Sequence, residues 1–480
     1  MRTATLWAVL ATGILSMALF GDGMALNLLL VAIPATLAAY YAARRGGRRP
    51  RPWTLVWGAG GLALLTVPSL RDAGWPSFLA VATAVGLGSL ALHGSRTWSG
   101  IVLSPLGLVD ALPQGIAWGW RGLRERSGDA SGKVGQGLRA VAVTAVLLLV
   151  FGALFAGADA AFADLLGGLV PDVSGAQGPW RVFLFAFGIV FALAAAHVAA
   201  APIHWDDIAV GPGRERGRAE WAVPLIVLNL LFAVFNAVQL AVLFGGYQAV
   251  LDRTGLTYSA YARQGFWQLL LATLLTLLVI VFALRWAPRS APGDRTLVRG
   301  VLGTLCVLTL VVVASAVRRM DMYVEAYGLT RLRISVVTAE LWLGLVIVLI
   351  MAAGVSGVWG ARWLPRAVAA SAAVAVLAFG LLSPDALIAE TNVARYEKTQ
   401  KFDLEYAGDL SADAVPALDK LTEPMRSCAL REIEGGLDLD DRPWYATSLG
   451  EARARQVLKD HPPQASYTEC LGVAEGAEYR

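Results

Sequence analysis

Residues 318–340, RRMDMYVEAYGLTRLRISVVTAE, separate two long apolar runs at residues 301–317 and 341–353. Seven charged side chains and two tyrosines lie within this stretch. We expect it to form the turn between two membrane helices, with Glu340 carried into the second helix. A carboxylate at membrane depth costs about 2.5–3.5 kcal/mol on insertion scales, so Glu340 is expected to have a partner or a function.

The composition points to a membrane protein with a soluble tail. Of the 480 residues, 56% are hydrophobic and only 16% are charged, whereas soluble domains carry about 25% charged residues. Residues 1–383 hold 29 Lys and Arg against 17 Asp and Glu, and residues 384–480 hold 11 against 19. We therefore predict a basic transmembrane domain at 1–383 and an acidic, water-soluble C-terminal domain at 384–480. The arginines lie in short loops between apolar runs, so the charge does not indicate a nucleic-acid partner.

The apolar runs predict an all-α fold, a polytopic transmembrane helix bundle with about eleven spans and a small helical C-terminal domain. A span needs about 20 apolar residues. The candidates are 4–20, 24–43, 53–70, 75–93, 138–157, 181–201, 221–245, 264–285, 298–317, 332–353 and 366–383. The first could instead be a signal peptide, but no convincing small-x-small cleavage site follows it, so we interpret it as a helix.

The distribution of basic residues predicts the orientation in a bacterial inner membrane. With the N-terminus in the cytoplasm, 21 of the 29 basic residues of 1–383 lie on the cytoplasmic side, which is the expected bias. The odd number of spans then makes the C-terminal domain extracytoplasmic. Cys428 and Cys470 lie in that domain and are expected to form a disulfide, because extracytoplasmic compartments permit one.

Two segments do not fit the pattern of plain spans. Segment 98–120 is apolar but contains Pro105, Pro113 and several glycines, which predicts an interfacial or re-entrant element on the cytoplasmic side. Segment 159–170 has leucines at helical spacing, which predicts either a short amphipathic helix on the outer surface or a loop packed on the bundle.

Polar groups at the outer ends of several helices suggest one outward-facing polar pocket with Glu340 at its floor. Asn229 and Asn236 share one helix face, as do Arg333 and Glu340, because each pair is seven residues apart. The candidate pocket residues are Asn229, Asn236, Arg263, Asp321, Glu325, Arg331, Arg333 and Glu340.

Structural explanations exist for most of these residues. The asparagines could tie helices together, and the arginines could reach lipid headgroups beside Tyr323 and Tyr327. His204, Asp206 and Asp207 have no nearby His or Cys to complete a metal site, so we expect no metal. The chain contains no phosphate-binding, zinc-protease or nucleophile-elbow motif, and we expect no cofactor.

Several short motifs resemble those of a bacterial membrane-protein family. They are Tyr261-Ala-Arg263-Gln-Gly265-Phe266, Arg319-Met-Asp-Met-Tyr323, Tyr327-Gly328-Leu329-Thr330 with Arg333, and Asn392-Val-Ala-Arg395 with Asp403 and Tyr406. The opening Ala18-Leu-Phe-Gly-Asp22, leading to Asn27, is similar as well. The family is that of polytopic membrane proteins carrying the domain of unknown function 4173, related to the 4153 type. The resemblance implies a membrane architecture and no catalytic role.

Three functions remain open at this point. The first is a transport-like or solute-sensing protein with an outward polar pocket and an unknown small-molecule ligand. The second is an envelope enzyme acting on a lipid-linked or periplasmic substrate, with Asp321, Glu325 and Glu340 as acid/base groups. The third is a structural or signalling protein, embedded in the lipid bilayer, that binds another envelope protein through residues 384–480.

Overall fold

The computed structural model describes residues 3–21, 23–127, 178–208, 213–245, 266–288, 290–291, 293–356, 362–437, 442–465 and the isolated positions 144, 151, 155, 159, 469, 470 and 472. The helices of the N-terminal half are α1 (Thr3–Leu19), α2 (Leu26–Arg45), α3 (Pro52–Leu64), α4 (Val67–Leu70), α5 (Gly74–His93), α6 (Trp98–Ser127) and α7 (Gly178–Ala200). The next helices are α8 (Arg218–Gly245), α9 (Phe266–Trp286), α10 (Asp294–Tyr327), α11 (Arg331–Ser356) and α12 (Leu364–Leu381). The C-terminal segment contains α13 (Pro384–Thr399), α14 (Leu404–Gly408), α15 (Val415–Leu418), α16 (Met425–Gly436) and α17 (Leu449–Asp460), with a 3₁₀ turn at Ala412–Ala414.

The predicted all-helical membrane fold is confirmed. Within the described ranges, ten helices are long and apolar enough to cross a membrane, where α3 and α4 together count as one, Pro52–Leu70, and α1 is a shorter apolar helix of 17 residues. Helices satisfy all of their backbone hydrogen bonds within one segment, which is what a bilayer interior demands. The candidate spans at 138–157 and the amphipathic segment at 159–170 lie, apart from isolated positions, outside the described residues.

Of the two alternatives expected for segment 98–120, the structure contradicts the re-entrant one, whereas an interfacial helix at the basic end agrees with the contacts of Gly107 with His93 and of Trp118 with His197. Its prolines do not break the backbone into a re-entrant element, because the chain runs as one continuous helix, α6, through both of them. Close packing supports this helix. A Cβ added at Gly115 would lie 2.7 Å from the backbone nitrogen of Ala194 in α7, so glycine allows the two helices to touch along their backbones. Asp206 caps the start of α6 by accepting hydrogen bonds from the backbone nitrogens of Arg96 and Thr97 at 2.9 and 3.0 Å.

The charged stretch at 318–340 is also more helical than a simple turn. Helix α10 has 34 residues and continues to Tyr327, so it is about 51 Å long at 1.5 Å per residue. A hydrocarbon core of about 30 Å therefore leaves the last turns of α10 outside the lipid. The reversal itself takes only Gly328, Leu329 and Thr330, and Gly328 has a φ of +82°. That left-handed conformation favours glycine.

The contacts between connecting segments define two ends of the bundle. At one end, which we call the basic end, Arg48 donates to the carbonyl of Ala199, and Arg366 stacks on Trp53 at 5.2 Å. Arg218 also pairs with Asp294 there, at 2.5 Å. The basic residues of this end are Arg44, Arg45, Arg48, Arg49, Arg51, Arg96, Arg214, Arg216, Arg218, Arg285, Arg295, Arg299, Arg362 and Arg366.

The C-terminal segment packs on the opposite end, which we call the docking end. There the Asn27 backbone nitrogen donates to the carbonyl of Tyr445 at 3.0 Å, and the Ala412 nitrogen donates to Asp72 Oδ2 at 3.2 Å. The loops α1–α2, α4–α5 and α10–α11 and the end of α12 therefore all face the C-terminal segment.

The C-terminal segment has a hydrophobic core of its own. From the sequence, the apolar residues spaced along this segment are expected to form a small core, and most of them are buried together, namely Leu410, Val415, Leu418, Leu421, Leu430, Ile433, Leu437 and Leu458. Trp444 and Leu449 are exceptions, since both are exposed; Trp444 is 71% exposed beside Tyr445. Cys428 and Cys470, the pair expected to bond, form a disulfide across 42 residues. The Ser448 hydroxyl caps α17 by accepting from the Glu451 nitrogen at 3.0 Å.

Candidate functional site

The turn between α10 and α11 is held from outside by helix α13. Asn392 pairs with Leu329 in both directions, accepting from its backbone nitrogen at 2.7 Å and donating to its carbonyl at 3.0 Å. Arg395 donates to the carbonyls of Glu325 and Ala326, which are among the last four of α10. Side chains of the C-terminal segment thus satisfy backbone groups that the turn would otherwise leave unpaired.

Arg331 joins the two parts of the molecule most directly. Its Nε and Nη2 donate to the two carboxylate oxygens of Asp385 at 2.9 and 2.6 Å, and Nη2 also donates to the carbonyl of Asp409 at 2.8 Å. The Arg331 backbone nitrogen donates to the Tyr406 hydroxyl at 2.7 Å. Asp385 is buried, so this forked pair is a charge-assisted bond that is shielded on one side from water.

The other charged residues of the stretch have separate surroundings. The Arg333 guanidinium lies 4.2 Å from the centre of the Tyr323 ring, a cation–π contact, and it donates to the Gly328 carbonyl. Asp321 and Glu325 are exposed on successive turns of α10. The arginines therefore take positions that anchor the docking end, and they do not converge on one cavity wall.

Asn229 and Asn236 tie α8 to α10. Their Nδ2 atoms donate to the carbonyls of Val301 and Leu308 at 3.0 and 2.9 Å. The two asparagines are seven residues apart on α8, and the two carbonyls are seven residues apart on α10, so the same contact occurs twice along the helix pair. This is the helix-linking role that intramembrane amides commonly have. The Oδ1 atom of each asparagine is buried without a hydrogen-bond partner among the described residues.

Glu340 is fully buried between helices α9 and α11. Thr273 Oγ1 lies 2.9 Å from Glu340 Oε1 and 3.1 Å from the carbonyl of Leu269. One hydroxyl proton cannot serve both acceptors, so a neutral Glu340 that donates to Thr273, which in turn donates to Leu269, satisfies all three groups. Neutrality also avoids burying an unpaired charge, since Oε2 has no partner in the described part of the chain.

A polar cavity lies where the C-terminal segment meets the docking end, and we call it the seam cavity. It has a volume of about 510 Å³. The bundle contributes Asp72, from the loop between α4 and α5. The C-terminal segment contributes Gly408, Asp409, Leu410, Ser411, Ala412, Glu432, Ile433, Gly436, Leu437, Arg442 and Glu451. Four residues with carboxylate side chains and one arginine thus line this space.

The seam cavity has a negative electrostatic character. Burial raises the pKa of Asp72, the Ala412 hydrogen bond opposes that rise, and the carboxylates of Glu451, Asp413 and Asp385 add to it. Glu451 is buried and is partly balanced by Arg455 at 2.6 Å and by Arg442 at 3.5 Å. Glu451 is buried and Asp72 half-buried, whereas Asp409 and Glu432 are exposed to solvent at the mouth of the cavity. A site with surplus carboxylates favours a positively charged ligand.

Among the residues predicted to form a pocket, the seven that the structure describes do not line the seam cavity. Asn229, Asn236 and Glu340 are buried between membrane helices, and Arg331 and Arg333 bind the C-terminal segment and the turn. Arg263 lies outside the described residues. Sequence reasoning missed Asp409, Glu432 and Glu451, because helical spacing cannot show which face of a soluble segment docks on a membrane domain. Only the surplus of eight acidic charges in residues 384–480 pointed toward them.

Comparison with known proteins places this architecture in a family. A family model described as "Domain of unknown function (DUF4153)" matches residues 58–421, which covers most of the bundle and the first helices of the C-terminal segment. The match agrees with the resemblance noted from the motifs, with the 4153 rather than the 4173 type as the matching family. Searches of curated proteins and of solved structures each found no match.

Replacing Glu340 tests whether it is neutral in the folded protein. We expect Glu340→Gln to change the free energy of unfolding by less than about 1 kcal/mol, because glutamine keeps the shape and the Thr273 contact. Glu340→Ala should cost about 2–4 kcal/mol through the cavity that it leaves. The measurement is thermal unfolding in detergent, with Glu325→Ala as an exposed control. A Glu340→Gln protein as unstable as Glu340→Ala would show that the carboxylate is ionised and paired.

Proposed function

The chain belongs to the DUF4153 family, and on that premise we propose that it is a solute-sensing integral membrane protein whose seam cavity binds a small organic cation. The observation that carries the proposal is the composition of the cavity wall, which has four carboxylates and one guanidinium around about 510 Å³. Such a space is large enough for a small amine or guanidine and has the charge to select it.

The position of the cavity favours sensing over transport. It lies between a loop of the bundle and the C-terminal segment, so a ligand there contacts both parts at once. Asp385 accepts from Arg331 and from the Ser411 backbone nitrogen at 2.9 Å, and Ser411 lines the cavity. A ligand that displaces the loop containing Ser411 would therefore disturb the ion pair between Arg331 and Asp385, which holds the start of α11. A sensor requires a ligand that binds one of two protein conformations more tightly than the other.

We place the cavity on the extracytoplasmic side of a bacterial inner membrane. The distribution of arginines supports this orientation, because the connecting segments at the basic end are rich in arginine. In membrane proteins the cytoplasmic loops carry the excess of basic residues, so we infer that the basic end is cytoplasmic. The docking end then faces outward together with the disulfide-containing C-terminal segment, and the ligand comes from outside the cell.

The enzyme hypothesis receives less support from the geometry. Asp321 and Glu325 are exposed on α10, whereas Glu340 is fully buried against Thr273. Acid and base groups must reach the same substrate atoms, and these three side chains do not face a common space.

Neutralising one carboxylate of the cavity should weaken cation binding. We expect Glu432→Gln to raise the Kd for agmatine about threefold to tenfold, because it removes one charge a few ångströms from the ligand. The measurement is isothermal titration of the full-length protein in detergent with agmatine, choline and spermidine, with lactate as the anionic control.

Glu434→Gln provides the matched control. Glu434 lies two residues further along α16 and does not line the cavity, so its replacement should leave the Kd unchanged. If none of the three cations binds, or if both variants weaken binding equally, the seam cavity is not a cation site.

The raised pKa of Asp72 predicts a particular pH dependence. A proton and a cation compete for the same carboxylate, so affinity should fall as the pH is lowered, and the raised pKa of Asp72 makes this fall begin at a higher pH than for an ordinary aspartate. Asp72→Asn should bind more weakly at high pH and lose most of this dependence. Equal pH profiles for the two proteins would contradict a role for Asp72 in binding.

A further inference from the structure

A tryptophan of the C-terminal segment is exposed where that segment meets the first loop of the bundle. Trp444 is 71% exposed, although it belongs to the segment that is predicted to be water-soluble. Its ring lies beside that of Tyr445, with the two ring centres 5.9 Å apart. Met24, in the loop between α1 and α2, is 59% exposed. Both parts of the molecule therefore present a large apolar side chain near this contact.

Backbone contacts hold the chain around Trp444 against the start of α2. The carbonyl of Tyr445 accepts a hydrogen bond from the backbone nitrogen of Asn27 at 3.0 Å. A Cβ added at Gly23 would lie 2.8 Å from the carbonyl oxygen of Ala446, and Gly23 has a φ of +144°. Glycine therefore allows the two backbones to touch, and the position of Trp444 relative to α2 is fixed on both sides.

The length of α2 gives the depth of this contact in the membrane. Its 20 residues, Leu26–Arg45, span about 30 Å, which equals the thickness of the hydrocarbon core. Its last turn carries two arginines at the basic end, so its first turn lies at the opposite boundary of the hydrocarbon. The headgroup layer adds about 5–8 Å on each side. Trp444 is one residue, about 3.8 Å, from Tyr445, so its side chain begins at the level of the lipid headgroups.

We propose that Trp444 anchors the C-terminal segment in the headgroup layer of the membrane, with the phospholipid surface as its partner. An indole ring combines a large apolar body with one N–H donor, which is why tryptophan is enriched at this level of membrane proteins. The upper acyl chains offer an apolar contact to the ring, and the ester and phosphate oxygens of the lipid accept from the N–H group. Met24 adds a second apolar contact from the bundle.

The depth of Trp444 favours lipid over a second protein. Headgroups surround the spanning helices at this level, so a side chain that the protein leaves mostly exposed there meets lipid without any further partner. The same ring in bulk water would keep its apolar surface hydrated, and transfer of that surface to the membrane interface is favourable.

The anchor also bears on the seam cavity. Arg442 is two residues before Trp444, lines the cavity and lies 3.5 Å from Glu451. Contact of Trp444 with lipid therefore holds one wall of the cavity close to the membrane surface.

Fluorescence quenching in a bilayer tests the anchor. In a Cys306→Ala background, Trp444→Cys is labelled with nitrobenzoxadiazole without reductant, because Cys428 and Cys470 are joined in a disulfide. The full-length protein is placed in nanodiscs of phosphatidylethanolamine and phosphatidylglycerol. One quencher is a nitroxide on the lipid, near the ester end of the acyl chain, and the other is iodide in the buffer.

Lys459→Cys is the matched control. Lys459 is also exposed and belongs to the same segment, but it lies in the last turn of α17, about 15 Å along that helix from Leu449. We expect the lipid nitroxide to quench the label at position 444 at least threefold more than the label at position 459, and iodide to quench it at least threefold less. Equal iodide quenching at both positions, without lipid quenching at 444, would overturn the proposal. A label at 444 that neither quencher reaches would overturn it too, because a protein would then cover this position.

Intrinsic fluorescence provides a second readout that needs no label. Brominated phospholipid quenches tryptophans that contact lipid, so the unmodified chain should lose a larger share of its emission than Trp444→Phe in the same nanodiscs. Trp7→Phe is the positive control, because Trp7 is 66% exposed on the apolar helix α1. Equal losses in the unmodified chain and Trp444→Phe, together with a smaller loss in Trp7→Phe, would contradict the lipid contact.

Discussion

The forked pair between Arg331 and Asp385 is the contact on which the arrangement of the two parts depends. One residue begins a membrane helix and the other begins the first helix after the bundle, so the bond fixes the direction of the chain as it leaves the lipid. Asp385 is buried, and a buried carboxylate without a partner would be costly. The neighbouring contacts from Asn392 and Arg395 to the α10–α11 turn depend on the same placement of α13.

This placement explains why the most charged stretch of the membrane domain is structured rather than a loose loop. The last turns of α10 extend beyond the hydrocarbon thickness, and the C-terminal segment binds their final carbonyls through Arg395. The seam cavity results from the same docking, because Asp72 from the bundle meets Asp409, Glu432 and Glu451 there. Part of the negative charge of residues 384–480 is therefore concentrated at this one site, with Glu451 buried and with Asp409 and Glu432 exposed to solvent.

Sequence reasoning recovered the features that depend on local composition. Long apolar runs gave the helical membrane class, and the leucine pattern gave most of the C-terminal core. It said less where the answer depends on packing. Pro105 and Pro113 left a re-entrant element open beside an interfacial one, and close packing of Gly115 on α7 supports a continuous helix. The polar pocket inferred from shared helix faces stays a prediction, and the pairing of Arg331 with Asp385 could not be predicted because no periodicity encodes where the C-terminal segment docks.

The most direct test of this account is the accessibility of Cys470 in intact cells. A membrane-impermeant maleimide would be applied with and without prior reduction. The account predicts labelling only after reduction, because it proposes that the C-terminal segment lies outside the cell, where its two cysteines are joined in a disulfide. Labelling that requires cell lysis would place the segment in the cytoplasm, and the seam cavity could not then receive a solute from outside.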